Sequence, residues 1–331
     1  MFVINSPFTT EQYLRVTCPI PDNKPGPINN QFVIVLLIKG LVTLIIKMIS
    51  IEDRLNYYIN ATKCVEKPPC ALNGYDEPIE IGVGSYENRY ASIHPGTQYP
   101  IDVMRYCSAS SKSHMWFQCG DSPYTGPEWP VMVKTRDTHN DESGGIIANI
   151  NSMRHWAPVY RMVDVPWESK KPGVIWRGAD TGHPHRLDFV KKFYDQYDIG
   201  FSRYVQEGHI YPEQYHDKYM SGMTHMETML KYKYLPVVDG NDKSSSLGWV
   251  LASGSVPIMP KPRFHSWVCE PWMKPDVHYI EVKRDWSDFP EKVDFLRKND
   301  DFAHKVAMNG KEFMEQFRDS NRERHIEEKI V

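Results

Sequence analysis

The chain has 331 residues, of which 41% are hydrophobic and 24% are charged, and its formal net charge is −3. This length is enough for about two domains and a substantial core, and the composition is typical of a folded globular protein, which excludes a disordered chain. Proteins that bind nucleic acid normally carry a basic excess, so the charge balance argues against nucleic acid as a partner.

The N-terminal segment, residues 1–31, is rich in Pro, Asn and Thr, which predicts an irregular arm. It has no cationic segment followed by an apolar one, so no secretory signal is recognised. The apolar run at 32–49 approaches the length of a membrane span, but Lys39 near its middle would cost about 2.5–3.5 kcal/mol there. Because Lys39 and Gly40 divide the run into two β-branched halves, we predict two buried strands joined by a tight turn and no membrane span.

Six cysteines are scattered along the chain, and no two of them form a CxxC pair, so a structural zinc site is not predicted. Without a recognised secretory signal we expect free thiols. The cysteines are Cys18, Cys64, Cys70, Cys107, Cys119 and Cys269.

Two helices are predicted in the first half of the chain. Ser50 and the acidic residues after it suit the start of a helix in SIEDRLNYYINAT. A second helix is predicted near residues 101–110, in a region otherwise rich in Gly, Pro, Tyr and Ser.

A short strand, WPVMVKTRD at 129–137, ends in the charged pair Arg136 and Asp137. A carboxylate at a strand end can act as a general base, and it can equally form a structural ion pair or cap a turn. The polar residues at 139–142 include His, Asp and Glu and could bind a metal. Adjacent loop residues rarely all face one ion, so we predict a solvated turn there and no metal site.

Residues 163–172, VDVPWESKKP, are rich in proline and charge and predict a domain boundary. A strand follows at 174–176, and Gly178 and Ala179 turn off it with small side chains that let a ligand approach the backbone closely. Arg186 begins the next helix. Its guanidinium is either an ordinary surface charge or a bidentate ligand for a diphosphate.

The most informative stretch is KYKYLPVVDGNDKSSSLGWVLASGSV at 231–256. Its pattern predicts a buried strand, a turn at 239–242, serines at 244–246 that cap a helix starting at Leu247, and a second strand from Val256. Such a βαβ unit places a ligand at the carboxyl ends of its strands, where free helix N–H groups favour an anion such as phosphate. The alternative is an ordinary βαβ crossover without a ligand.

Three segments resemble the CAP10/Rumi-like glycosyltransferases, glycosyltransferase family 90. WRGA at 176–179 with Arg186 is similar to the family's F/W-R-G-[AS]…R segment. Residues 231–256 are similar to its donor-site signature, and PWMKPDVHYIEVKRDWSDFPEKVDFLRKNDDFAHKVAMNGKEFM is similar to its C-terminal block. The segments follow the family's order within 130–318, whereas residues 1–130 match only loosely.

The resemblance implies an α/β fold of the GT-B type, with two Rossmann-like domains facing a cleft. It assigns 1–165 to an N-terminal acceptor-side domain, 166–300 to a C-terminal domain that binds the nucleotide sugar, and 301–331 to helices that pack back on the first domain. The implied activity is inverting, metal-independent transfer from a UDP-sugar to an oligosaccharide or glycan hydroxyl, with no cofactor. UDP-xylose is the first expected donor and UDP-glucose the second.

The resemblance also implies roles for individual residues. Asp137 matches the last residue of V-I-N-x-R-D and becomes the candidate general base. Arg136, Arg154, Trp156 and Arg177 are expected near the cleft. The expected donor-binding residues are Gly178, Ala179, Arg186, Asn241, Asp242, Lys243, Ser244, Ser245 and Ser246.

One departure from the family pattern keeps other functions open. The family has an arginine on the diphosphate where this chain has Ser246, and Lys243 on the same loop can substitute for it as a point charge. Without that substitution the chain would be a non-catalytic, glycan-binding relative. A protein O-glucosyltransferase acting on serine and a metal-dependent transferase or hydrolase are further alternatives. The missing secretory signal favours a cytoplasmic location, such as that of virus-encoded glycan machinery.

Overall fold

The computed structural model describes residues 37–38, 41–42, 48–59, 79–80, 99–109, 114–118, 120–121, 131–140 and 144–331. Several predictions fall outside what the structure describes: the arm at 1–31, Asp141 and Glu142 of the polar turn, and the thiols of Cys18, Cys64, Cys70, Cys107 and Cys119. Cys269 is buried and carries a free thiol, as predicted.

Two paired strands lie in the apolar run, as predicted, whereas the turn between them and their burial lie outside what the structure describes. Strand β1 (Leu37–Ile38) pairs antiparallel with β2 (Leu41–Val42), and Ile38 lies opposite Leu41. In the part of the chain that the structure describes, no helix is long and apolar enough to cross a membrane.

A small four-stranded sheet belongs to the first half of the chain. Its strands are β3 (Ile79–Glu80), β4 (His114–Gln118), β5 (Val131–Val133) and β7 (Ile146–Ile147), in the order β3-β4-β5-β7. β3 and β4 are antiparallel, and the other neighbouring pairs are parallel. Strand β6 (Thr135–Asp137) follows β5 closely but leaves this sheet.

A five-stranded parallel sheet forms the second half of the chain. Its strands are β8 (Lys171–Ala179), β9 (Asp198–Arg203), β10 (Tyr232–Pro236), β11 (Val256–Pro260) and β13 (Ile280–Val282). The order is β13-β11-β10-β8-β9, and every neighbouring pair is parallel. Parallel strands are covered on both faces and are therefore apolar throughout, and every residue of β11 is buried.

The helices of the described residues agree with the sequence where it made predictions. α1 starts after Ser50, whose Oγ accepts the Asp53 N–H at 2.9 Å. α2 (Tyr99–Ala109) forms where a helix was predicted near 101–110, and α8 (Leu247–Ala252) joins β10 to β11 in the predicted βαβ unit. The helices are α1 (Ile51–Ile59), α2 (Tyr99–Ala109), α3 (Ser152–His155), α4 (Ala157–Arg161), α5 (His185–Phe193), α6 (Glu207–Ile210), α7 (Met226–Met229), α8 (Leu247–Ala252), α9 (Phe289–Lys298), α10 (Asp300–Glu315) and α11 (Ser320–Ile330).

A two-stranded ribbon joins the two halves. β6 pairs antiparallel with β12 (Phe264–Ser266), and Asp137 lies opposite Phe264. β12 follows β11 after only three residues. The pairing therefore carries the end of β6 to the carboxyl end of β11.

The last helix returns to the first half of the chain. Ile326 of α11 shares a hydrophobic core with Tyr58 and Tyr106, and Glu323 forms an ion pair with buried Arg54 at 2.5 Å. These contacts and the parallel sheet establish a mixed α/β fold. The division at 1–165, 166–300 and 301–331 and the GT-B arrangement stay predictions.

The loops that leave β8 and β10 cross in direct contact. Gly182 has a φ of 76°, and a Cβ built on it would lie 2.5 Å from the carbonyl carbon of Gly240. Glycine is needed at Gly182 for two reasons, because a side chain would strain the left-handed backbone and would collide with the other loop.

Gly182→Ala should therefore destabilise the fold by about 3 kcal/mol or more, a strain cost plus a collision with main chain. Gly222→Ala is the matched control, because Gly222 has nearly the same φ, 75°, with nothing within 4 Å of the added Cβ. We expect the control to lose only about 1 kcal/mol. Thermal or urea unfolding measures both, and equal losses would disprove the loop contact.

Candidate functional site

A pocket lies at the carboxyl ends of β10 and β11, which is where open parallel sheets bind their ligands. The loop after β10 and the start of α8 form one wall, and the loop after β11 together with β12 forms another. The lining residues are Val237, Asp239, Lys243, Leu247, Met259, Pro260, Pro262, Arg263, Phe264 and Glu270.

Strand alternation decides which side chain of β6 borders this pocket. Successive side chains of a strand point to opposite faces. Asp137 pairs with Phe264, which lines the pocket, whereas Arg136 pairs with His265. Arg136 is buried and donates a hydrogen bond to the carbonyl of Tyr57. The two adjacent residues are thus separated, because Arg136 supports α1 while Asp137 stands beside the pocket.

Asp137 is held by a bidentate ion pair. Arg263 donates from Nε to Oδ1 at 2.9 Å and from Nη2 to Oδ2 at 2.5 Å, and the His139 N–H donates to Oδ1 at 2.9 Å. Burial raises the pKa of Asp137, but the hydrogen bonds from Arg263 and His139 outweigh burial and keep the pKa below its ordinary value. The carboxylate is therefore ionised at neutral pH and, in this pairing, weakly basic.

Lys243 and Lys134 are both buried, but only Lys134 forms ion pairs. Lys134 forms ion pairs with Asp121 and, at 2.8 Å, with Asp242. Burial lowers its pKa, but Asp242, Tyr99 and Asp121 reverse the effect and raise it.

Among the residues that the structure describes, none forms an ion pair or hydrogen bond with Lys243. Burial lowers the pKa of Lys243, although the charges of Glu270, Asp242 and Asp239 act in the opposite direction. Lys243 is therefore a buried cation of the pocket that lacks a close partner.

The two carboxylates of the pocket accept hydrogen bonds from protein donors, and neither forms an ion pair with Lys243. Glu270 accepts the Ser266 N–H at 2.7 Å, the Ser266 hydroxyl at 2.5 Å and the Tyr57 hydroxyl at 3.2 Å. Asp239 accepts the Ser244 N–H at 3.1 Å, and burial raises the pKa of Asp239 to about 6. Lys243 thus remains available to an incoming anion.

Arg186 lies behind the pocket and joins the two crossing loops. Its Nη1 donates to the Ala179 carbonyl and the Thr181 hydroxyl, both at 2.9 Å, and its Nη2 donates to the Val238 carbonyl at 2.9 Å. Burial lowers its pKa to about 10, so the guanidinium stays charged at neutral pH. A direct contact between Arg186 and a diphosphate stays a prediction.

The loop after β10 is fixed by its own side chains. Asn241 accepts the Gly182 N–H at 2.9 Å, and Asp242 is buried beside Thr135, whose hydroxyl donates to it at 3.3 Å. The serines differ from the prediction, because Ser246 occupies the N-cap of α8 without a side-chain capping bond. Its hydroxyl lies 2.9 Å from that of Ser244 instead. Ser245 is half-buried on the same loop.

The turn that leaves β8 is shaped by packing. A Cβ built on Gly178 would lie 2.4 Å from the ring of Trp176, so the ring itself requires glycine there. Ala179 offers its carbonyl to the buried arginine of α5. Arg177 does not line the pocket and forms an ion pair with Asp198. Ligand binding by these residues stays a prediction.

Two further residues predicted near the cleft have structural contacts. Arg154 is half-exposed and forms an ion pair with Asp121 at 3.0 Å. Trp156 is buried, and its ring centre lies 5.5 Å from that of Phe317. These contacts account for both side chains, and their binding roles also stay predictions.

Two residues of the site were missed by the sequence reasoning. Arg263 follows β11 in Pro260-Lys261-Pro262-Arg263, and a basic residue just after a strand of the key βαβ unit is a signal that could have singled it out. Glu270 had no such signal. Its place in the pocket depends on the turn after β12, which no local pattern predicts.

The described residues contain no group of three or more His, Cys, Asp and Glu side chains arranged to hold a metal ion. His139 is exposed in the predicted polar turn. Metal independence stays a prediction.

The fold and the pocket define an α/β protein with a charged pocket at the carboxyl edge of a parallel sheet. The sequence matches the model of glycosyl transferase family 90 over residues 97–322. The chain therefore belongs to glycosyl transferase family 90, the CAP10 family, which confirms the resemblance.

Three relatives illustrate the similarity. The chain is 30% identical over 196 residues to the O-glucosyltransferase LpsA of Dichelobacter nodosus, covering 58% of each protein. It is 29% identical over 226 residues to protein O-glucosyltransferase 2 of Danio rerio, covering 65% of this chain and 41% of the relative. It is also 24% identical over 189 residues to the uncharacterized protein 179R of Invertebrate iridescent virus 6, covering 46% and 16%. The chain thus spans about half the length of the first two relatives.

His155 adjoins the site from α3 and is buried with neither ring nitrogen hydrogen-bonded. Burial lowers its pKa well below the ordinary value, and the positive charges of Lys243, Lys134 and Arg154 lower it further. The folded protein therefore resists protonation of this ring, whereas the unfolded chain does not.

The resistance of folded His155 to protonation should make the free energy of unfolding depend on pH. As pH falls below about 6.5, the unfolded chain takes up a proton that folded His155 does not, so the free energy of unfolding falls by about 1.4 kcal/mol per pH unit for this group. His155→Leu should lose that part of the slope between pH 6.5 and 5. His209→Leu, at an exposed histidine, is the control. Identical slopes in wild type and His155→Leu would contradict the prediction.

Proposed function

We propose that the chain is an inverting glycosyltransferase that uses a UDP-sugar, with a GT-B arrangement of its two α/β halves around the pocket. The observation that carries the proposal is Lys243, the buried pocket cation that lacks a close partner among the described residues. Burying an unpaired charge is costly, so such a residue favours a site that is completed by an incoming anion. A diphosphate is an anion of the right kind.

The names of the relatives support glucose as the transferred sugar. The relatives from Dichelobacter nodosus and Danio rerio are both named O-glucosyltransferases. UDP-glucose therefore moves ahead of UDP-xylose as the proposed donor. UDP-xylose, the first expectation from the resemblance, remains the second candidate.

The proposed reaction proceeds by a single displacement. Asp137 takes the proton from the acceptor hydroxyl as its oxygen attacks the anomeric carbon on the face opposite UDP, so the configuration inverts. The bond between the anomeric carbon and the UDP oxygen breaks, and its electron pair leaves with the diphosphate. Lys243 and Arg263 stabilise that charge, and loss of one comparable donor typically lowers a rate by about 10²–10³-fold.

The remaining predicted donor residues support the site in this proposal. Arg186 joins the loops after β8 and β10, which favours a positioning role besides any direct contact with the diphosphate. The loop at 241–246 carries Lys243 and fixes its approach to the pocket. No metal or cofactor is proposed, because two basic side chains can supply the positive charge.

The acceptor is proposed to be an oligosaccharide or glycan hydroxyl. The relative from Danio rerio is named a protein O-glucosyltransferase, so a serine hydroxyl is the second acceptor class.

A non-catalytic, glycan-binding relative is the second candidate function. Ser246 favours it, because this position carries an arginine in the family pattern and here only a hydroxyl bonded to Ser244. This candidate predicts binding of a glycan without binding of UDP.

Binding of UDP tests the donor site. Lys243→Met should weaken UDP binding by about tenfold or more, because it removes a buried charge partner of the diphosphate. It should also change the stability of the unliganded fold, because it removes a desolvated charge together with the attraction of that charge to Glu270, Asp242 and Asp239. Calorimetric titration with and without EDTA, together with thermal unfolding, measures both effects.

Lys170→Met is the matched control for this variant. Lys170 is also buried, but it pairs with Asp164 at 2.5 Å at the opposite edge of the sheet. The control should destabilise the fold and leave UDP affinity unchanged. Absence of UDP binding by wild type would overturn the transferase proposal and favour the glycan-binding relative.

Asp137→Asn tests the base. We expect hydrolysis of UDP-glucose or UDP-xylose, with water in place of the acceptor, to fall by about 10²-fold or more, because no carboxylate remains to take the proton. Asp198→Asn is the control, since Asp198 pairs with Arg177 away from the pocket. UDP release measures both rates. A variant of Asp137 that keeps wild-type hydrolysis would exclude this residue as the base.

A further inference from the structure

Arg263 belongs to the pocket and to the candidate base at the same time. Its side chain lines the pocket and forms the bidentate ion pair with Asp137. The side chain is 43% exposed, whereas that of Asp137 is 8% exposed. A single guanidinium therefore stands between the place proposed for the diphosphate and the carboxylate proposed to accept the proton.

The two proposed tasks compete for this guanidinium. An arginine that donates two hydrogen bonds to a carboxylate stabilises its charged form and weakens it as a base. The same guanidinium can also donate two hydrogen bonds to a diphosphate, which carries more negative charge than one carboxylate. Arg263 cannot hold both partners in its present bidentate geometry.

The backbone of Arg263 is fixed while its side chain has room to turn. The carbonyl of Arg263 accepts the Thr138 N–H at 2.9 Å and the Thr138 hydroxyl at 2.6 Å. The exposed side chain lies within electrostatic reach of Asp239 as well as Asp137. A change of partner therefore requires rotation of the side chain and no movement of the strand ribbon.

We propose that Arg263 is a positioning residue that couples the donor to the base: the diphosphate draws its guanidinium away from Asp137, and the released carboxylate then accepts the proton of the acceptor. This proposal rests on the proposed function. Without a donor, Arg263 keeps Asp137 charged but weakly basic. With a donor, the same side chain stabilises the diphosphate, so the base becomes active only in the donor-bound protein.

Lys243 has no comparable choice of partners. It lies in the same pocket, but no described residue forms an ion pair with it, so it can bind the diphosphate without releasing another group. The proposal therefore predicts that competition with Asp137 affects Arg263 and leaves Lys243 unaffected.

A double-mutant cycle on UDP affinity tests the coupling. Asp137→Asn should tighten UDP binding by about threefold to tenfold, because Arg263 no longer has to leave a carboxylate. The same substitution in an Arg263→Ala background should give much less tightening. Asp137→Asn in a Lys243→Met background should keep the full tightening. Calorimetric titration with UDP measures all six proteins, and thermal unfolding establishes that each is folded.

The cycle separates coupling from simple repulsion between Asp137 and the diphosphate. Repulsion alone would give equal tightening with and without Arg263, and that result would overturn the proposal, as would weaker or unchanged binding by Asp137→Asn. If Arg263→Ala does not fold, Arg263→Lys replaces it, and the tightening should then be smaller than with arginine. Wild type that binds no UDP would remove the proposed function itself, whereas UDP binding without coupling would remove only this inference.

Activity gives a second readout. Arg263→Lys should retain part of the hydrolysis of the UDP-sugar, because an ammonium can still neutralise the diphosphate and leave Asp137. Arg263→Ala should bind the donor more weakly and should show the acidic limb of its kcat/KM profile at higher pH, because Asp137 keeps the His139 N–H but loses the hydrogen bonds from Arg263 that lower its pKa. An unchanged acidic limb in Arg263→Ala would contradict the role of Arg263 in holding the base.

Discussion

The candidate site depends on the antiparallel pairing of β6 with β12. This ribbon places Asp137 opposite Phe264, at the carboxyl end of a sheet that is formed by a different part of the chain. Neighbouring contacts secure the same junction, because Lys134 pairs with Asp242 at 2.8 Å beside the hydrogen bond from Thr135 to that carboxylate. Without the ribbon, the carboxylate and the basic pocket residues would belong to separate surfaces.

The buried basic side chains fall into two groups: those with protein partners stabilise the fold, and one without a close partner lines the pocket. Arg186 donates to carbonyl oxygens of both crossing loops, and Lys134 has two carboxylates, so both charges support the structure. Lys243 is buried to a similar degree but lacks such a partner among the described residues, and it also disfavours a proton on His155. Burying a charge in this way costs stability, which is expected where a protein keeps a place for a ligand.

Local patterns in the sequence predicted the elements around the site but not its contacts. The apolar runs and turn residues at 231–256 were enough for the βαβ unit, because strand, turn and helix signals follow one another directly there. The ion pair between Asp137 and Arg263 joins residues far apart in sequence through a ribbon of three-residue strands, which are too short for a periodic signal. The expected serine cap failed for a related reason, since Ser246 bonds to Ser244 within the loop.

Ser246 stands where the family pattern has an arginine, and the basic side chains of this pocket come from other positions. Ser246 ends the loop at 241–246 and is the residue at the N-cap of α8. Here the same loop carries a lysine, which is a point charge, and the planar guanidinium comes from the loop after the next strand. That guanidinium reaches Asp137 as well as the pocket. In the proposed site Arg263 therefore keeps positive charge in the pocket and links the diphosphate to the proposed base. In a pocket built this way, binding of the donor and basicity of the carboxylate would no longer be independent properties.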